Sequence, residues 1–438
     1  MDSLKIPALS FSLEKLNTQL GNLVISVPQL YVERLYFQAS EAQQIKSHIY
    51  GFAKGQAPIN YIEKNFQPHL LDHVKEFFFK YLIISWLHEQ ILTHKILLAG
   101  EPRLTQIFIT PGQNASFHFS ITLAQPILLQ GWKRLIFKAP KRKNYKDLDR
   151  QVEHFLKNEN DAAKLIKDNT IAIGDWINFS VSLLDKNKNP LFEGFSEKLW
   201  LKIGSEEADG PFQNLFVGKK VGDKIITDHI GLQEHFSTHL DTHYLFAVEI
   251  LDHLSHGYFC LEHFKRHFKL KSNKEIHQKF IEVFSYRNDI SQRRATSEEA
   301  LKLLLSKYTF SVPLYVVLRQ EKAILEMVHE QSDYHVYKTQ PDFREKITVL
   351  AEKQLKENIL IQQLAYLEGI QIKNADIKAY LNLTNRPRTS EFIYFEPPTT
   401  KFSGQETPIS ESLMIQSCLK EKTLNHAIYH LTKKQSGL

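Results

Sequence analysis

The stretch HIYGFAKGQAPINYIEKNF, residues 48–66, sets two glycines four positions apart around a lysine, with Pro58 shortly after them and helix-like sequence on both sides. Glycine enters left-handed backbone without a Cβ penalty, so Gly51 and Gly55 permit a tight turn, and Pro58 suits the first turn of the helix that follows. Between the glycines, Phe52 offers a ring that can bury in an apolar groove, and Lys54 offers a cation for phosphate or a carboxylate. On the residues alone, such a loop also reads as a plain turn between two helices.

Around it lies a block of mixed character. Over residues 1–128, LVISV (23–27) and ASFHFSITL (115–123) have strand patterns, whereas Pro28 to His48 and Pro68 to Leu92 carry apolar residues at helical spacing. This predicts an α+β unit. Residues 129–150 add a basic run, KAPKRKNYK, that reads as a linker. Over 151–255 the pattern turns to β: WINFSVSLLD (176–185), LFEGF (191–195), KLWLKIG (198–204), DKIITD (223–228) and YLFAVEIL (244–251) predict a compact antiparallel domain. From 256 to 438 the signal is helical, with a capping box at Ser272 and Glu275, a break at Val312-Pro313, a helix from near Pro341 to near Gly369, and a last helix over Glu411 to Lys433.

Composition bounds the reading. With 438 residues and 42% hydrophobic content, the chain can fill the cores of about two to four domains. The N-terminal MDSLKIPALSFSLEKL lacks a signal-like pattern, and the most apolar run, FFFKYLIISW (77–86), contains Lys80 and is shorter than the ~20 residues of a membrane span. The expectation is a protein neither secreted nor membrane-spanning. Two distant cysteines, Cys260 and Cys418, fit a reducing compartment, and the cytoplasm is the expected location. A net charge of +6 permits an anionic partner without demanding one.

Gly51-Phe52-Ala53-Lys54-Gly55-Gln56-Ala57-Pro58 resembles the ribosome-binding signature of the trigger factor family of bacterial chaperones, which usually reads Gly-Phe-Arg-x-Gly-x-x-Pro. Three further landmarks follow in the family's order: Ala124 to Gly131, Pro211 to Asp223, and Phe310-Ser-Val-Pro-Leu-Tyr-Val-Val-Leu318. The resemblance implies an α+β multi-domain protein with a ribosome-binding domain over 1–128, a linker over 129–150, an FKBP-type prolyl isomerase-like domain over 151–255, and a helical substrate-binding domain with extended arms over 256–438. It implies that Gly51, Phe52, Ala53, Lys54, Gly55 and Pro58 meet the large ribosomal subunit near the polypeptide exit, while unfolded or nascent chains are shielded and assisted in folding and export. Ala53 stands where the family has arginine, and lysine does not replace the planar donor fork that is lost. No ATP or other cofactor is implied, nor DNA or a membrane, and a weak homodimer is compatible with the family.

The middle domain raises an enzymatic reading. Prolyl isomerisation crosses a barrier of ~18–20 kcal/mol, and a dry aromatic pocket can favour the twisted amide. Phe192, Phe212 and Phe246 resemble the family's pocket aromatics and are the candidate catalytic residues. Ser180, Val181, Asp209 and Glu234-His235-Phe236 depart from the pattern, and an acid in an apolar floor is costly unless it reaches solvent. Three readings stay open: a chaperone at the ribosome, a prolyl isomerase acting on folding chains, and a ribosome-independent holdase or assembly factor.

His253, His256, Cys260, His263 and His267 have ligand-like spacing, but 20 histidines make chance clusters common, and no metal is expected. His235, His239 and His243 form a weaker run of the same kind. The chain shows no phosphate-binding glycine loop, no G-x-S-x-G and no H-E-x-x-H.

Overall fold

The computed structural model describes residues 8–140, 147–165, 169–237, 244–330, 333–398, 401–402 and 404–433. Most of the basic run at 138–146, together with His239 and His243, lies outside the described residues.

The first block starts with strands β1 (Ser10–Lys15) and β2 (Leu20–Val27). Helices α1 (Gln29–Lys46), α2 (Ile59–Asn65), α3 (Gln67–Phe78) and α4 (Ile84–Thr93) follow, then β3 (Arg103–Phe108) and β4 (Ala115–Thr122). The strands form one antiparallel sheet in the order β1-β2-β4-β3. Alternation explains the sheet's inner face: Leu23, Ile25 and Val27 are buried opposite Phe119, Phe117 and Ala115. The helix expected over 68–92 is present, but its middle, Phe79–Ile83, loosens into one π-helical turn between α3 and α4.

After α5 (Leu148–Leu165) comes the β-rich block: β5 (Trp176–Leu184), β6 (Glu197–Lys202), α6 (Gly210–Phe216), β7 (Lys224–Thr227), α7 (Ile230–Phe236) and β8 (Leu245–Leu254). LFEGF is not a strand. Residues 191–195 turn instead, with Gly194 at φ +78 and the Phe195 amide donating to the Phe192 carbonyl, because the Phe192 ring is drawn into a core contributed by another block.

The helical block contains α8 (Leu261–Phe268), α9 (Asn273–Phe284), a short hairpin of β9 (Tyr286–Arg287) and β10 (Ile290–Ser291), and α10 (Gln292–Lys307). Next come α11 (Leu314–His329), α12 (Tyr334–Lys338), α13 (Phe343–Leu367), α14 (Asn374–Asn382) and α15 (Pro387–Ser390). The chain ends in β11 (Lys401–Phe402), β12 (Gln405–Glu406), β13 (Ile409–Ser410) and α16 (Glu411–Lys433). Ser272 caps α9 by accepting from the Glu275 amide, while the Glu275 carboxylate takes the amide of Lys271 rather than that of Ser272. Helices α11 and α13 form an arm closed by Val316, Ile324, Ile347, Ala351 and Leu355. Its base rests on the first block, where Tyr315 bonds Thr122 and Arg319 donates to the Glu101 carbonyl.

The architecture is thus an α+β N-terminal part, an antiparallel β-rich middle and a helical C-terminal part. At two places the chain crosses the boundaries read from sequence. Helix α5 packs on α9 through Phe155 against Phe280 and Phe284, so it serves the helical block. Strand β13 joins the middle sheet beside β6, giving the order β13-β6-β5-β8-β7. Both crossings bury apolar side chains that neighbouring sequence leaves uncovered, among them Trp200, opposite Ile409.

Candidate functional site: an exposed loop and a closed aromatic face

The loop between α1 and α2 is held by its ends. Gly51 and Gly55 have φ of +90 and +77, the left-handed backbone that favours glycine. The Phe52 amide donates to Ile49, the Gln56 amide to Ala53, and Gln44 reaches across to the Ala57 carbonyl at 2.5 Å. Ala57 is buried, so the loop is pinned there while Tyr50, Phe52, Ala53 and Lys54 stay exposed. The Phe52 ring leans on Tyr61 of α2 at 5.3 Å and is 39% exposed, which keeps an apolar face available without collapse. Pro58 stands immediately before α2.

The three candidate pocket phenylalanines have a different setting. Phe192, Phe212 and Phe246 are all buried, at 1%, 3% and 0% exposure. Phe192 and Phe246 belong to one ring cluster that spans two blocks. Phe192 meets Tyr31 of α1 at 5.1 Å, Phe78 of α3 at 5.7 Å and Tyr81 of the π turn at 5.9 Å. Phe246 meets Phe236 at 5.8 Å, and Phe236 in turn meets Phe77 and Tyr81. The Tyr81 hydroxyl donates to the Val181 carbonyl and accepts from the Leu183 amide, each at 3.1 Å. Phe212 is apart from this cluster, packed on Phe216 and against Gly231. The face expected to receive a prolyl bond is therefore filled by side chains of α1, α3 and the π turn.

Polar groups seal the same junction. Ser85 of α4 donates to the Glu197 carboxyl of β6, which burial, opposed by that bond and helped by Glu411 and Glu89, raises to a pKa of about 8. His73 of α3 bonds both the Tyr244 hydroxyl and Ser237. Burial also pushes His235 down to about 4, keeping it neutral beside Phe236.

Asp209 departs from the pattern without reaching solvent. It is 1% exposed and accepts the amides of Glu206 at 3.0 Å and Glu406 at 2.7 Å, so its charge is met by donors. Val181 is core, and Ser180 sits on the half-buried face of β5.

The histidine and cysteine spacing does not converge. His253 binds Asp175 at 2.7 Å, His267 meets Asn425 at 2.9 Å, and the Cys260 backbone pairs with Asn382. Among the described residues, no three His, Cys, Asp or Glu side chains form a group that could hold a metal ion. The sequence reading missed Tyr31, Phe77, Phe78, Tyr81 and Ser85 as partners of the middle sheet. Its usable signal was FFFKYLIISW, which is apolar on more sides than one sheet can cover.

Residues 9–158 match the family described as bacterial trigger factor protein (TF), and residues 274–386 match bacterial trigger factor protein (TF) C-terminus; together the matches span more than half of the chain. The chain belongs to the trigger factor family. The trigger factor of Rickettsia canadensis (strain McKiel) is 20% identical over 76% of this chain and 75% of its own length. That of Geotalea uraniireducens (strain Rf4) is 22% identical over 80% and 81%, and that of Geobacter sulfurreducens 19% over 85% and 88%. A solved structure from work on promiscuous substrate recognition in folding and assembly activities of the trigger factor chaperone covers 96% of this chain and all of its own at 14% identity, with a TM-score of 0.36. Neither family match extends over residues 159–273, where most of the middle sheet lies.

Proposed function

We propose that this trigger factor family member is an ATP-independent chaperone that docks on the large ribosomal subunit near the polypeptide exit through residues 51–58 and shields unfolded or nascent chains there. The family supports a chaperone role in protein folding. The observation that carries the docking reading is the loop itself, pinned at Ala57 and presenting Phe52 and Lys54 together. An exposed ring beside a cation is suited to a surface that combines an apolar groove with phosphate or carboxylate. Clients would meet apolar side chains on the arm, where Leu314, Leu318, Met327 and Val349 are each more than half exposed. The cytoplasm is the proposed location, and no helix among the described residues is long and apolar enough to cross a membrane.

Cosedimentation with ribosomes tests the docking reading. The unmodified chain should pellet, and Phe52→Ala with Lys54→Ala should stay in the supernatant. Equal pelleting of both would remove the loop from the proposal.

Isomerase activity is the second reading, with Phe192, Phe212 and Phe246 as its candidate residues. The filled aromatic face argues that any such activity requires α3 and the π turn to separate from the middle sheet.

A further inference from the structure

A cleft of about 700 Å³ opens between the end of α8, α9, the start of α10, the turn after α13 and the second half of α16, away from both the loop and the aromatic face. Its walls carry Lys269, Lys271, Lys279, Arg293, Lys422 and Lys433 against two carboxylates, Glu275 and Glu368. Glu368 is already occupied, accepting from Trp132 at 3.1 Å, Lys133 at 2.6 Å and His426 at 3.2 Å. Glu275 holds the Lys271 backbone amide.

Behind the wall, Lys422 pairs with Asp376 and Lys279 with Glu282, both at 2.9 Å. Arg293 is less completely matched. It is 1% exposed, stacks over Phe268 at 5.6 Å, bonds Asn425, and has Glu421 at 3.8 Å, while its Nε–H has no partner. Glu421 is shared with the Tyr394 and Phe395 amides, which donate to its carboxylate at 2.9 and 3.0 Å. Lys269 and Lys271 are exposed at the rim, with no carboxylate partner among the described residues. Burial pushes His267 down to about 3, with Arg293 adding to the shift and Asp376 opposing it; burial also lowers Lys279, opposed by Glu282 and helped by Arg293.

We propose that this cleft binds a small ligand carrying more than one phosphate group, with Lys269 and Lys271 as its accessible contacts and Arg293 as the charge beneath them. Phosphate oxygens form charge-assisted bonds with ammonium and guanidinium groups, and a row of cations along one cleft suits linked phosphates better than a single one.

Calorimetric titration of the full chain with tripolyphosphate, at fixed ionic strength, tests this. Saturable binding is expected, with inorganic phosphate weaker. Lys269→Gln with Lys271→Gln should weaken tripolyphosphate by about tenfold, since each substitution removes one exposed, solvent-screened charged contact. Both lysines are exposed, so the melting temperature without ligand should hold; Lys271→Gln alone, with a smaller loss, serves if the double variant melts early. The proposal is overturned by an absence of saturable heat, by equal affinity in the variants, or by inorganic phosphate binding as tightly as tripolyphosphate.

Discussion

Asp209 turns an apparent fault into a structural device. Its carboxylate is the meeting point of the turn before α6 and the returning segment that holds β12, with an amide from each. Asp209→Ala should strand both donors and cost about 2 kcal/mol or more, read as a lower urea midpoint; an unchanged midpoint would refute its bridging role. Gly204 is bound to the same device, since an added Cβ would lie 1.9 Å from Asp209 Oδ2, so Gly204→Ala should be comparably damaging. The oddness of Asp209 was legible in the sequence as a charge in an expected apolar floor. Its compensation was not, because the second amide arrives from almost 200 residues away. Ala53 is the converse case, a loss that the surrounding loop does not repair. Ala53→Arg should strengthen ribosome association by about tenfold through charge-assisted bonds, measurable by titrating the pelleting assay, and no gain would show that the missing fork is irrelevant.

Among the elements, the helix from Gln67 to Thr93 bears most weight, because its opposite sides belong to different neighbours. Period and length made its existence plain from sequence. What periodicity leaves open is which partner covers a side, and LFEGF departs from the expected strand for the same reason: Phe192 and Phe195 both reach toward Tyr31 instead of pairing in a sheet. The π turn lets Tyr81 place its hydroxyl between Val181 and Leu183, so Tyr81→Phe should leave two buried backbone groups unmet and cost about 1–3 kcal/mol in denaturant unfolding. Glu197 makes the same junction sensitive to pH. Its folded pKa of about 8 lies above the unfolded value of 4.5, so the folded state holds the extra proton across that window. Stability should therefore fall as pH rises from about 4.5 to about 8 and level off beyond it. Glu197→Gln should flatten that part of the profile, and an unaltered slope would point to another group.

At the scale of the whole molecule, the N-terminal and middle parts share one hydrophobic core from Leu9 to Ile250. They should melt as one calorimetric transition, and two separated transitions would contradict the shared core. Proline-limited refolding of a client protein probes the aromatic face: little acceleration is expected from the unmodified chain and more from Phe77→Ala with Phe78→Ala, which thins the plug. Equal rates would show that closure of this face is not what limits turnover.

The strand added by Ile409 and Ser410 bears on how the molecule itself is made. Synthesis runs from the N-terminus, so β6 (Glu197–Lys202) is made well before Ile409–Ser410 and waits with an unpaired edge until that strand follows. Until that moment the middle sheet is exposed along the very side that invites pairing with strangers. A protein proposed to guard unfinished chains thus carries, during its own synthesis, the kind of open edge that such guarding addresses.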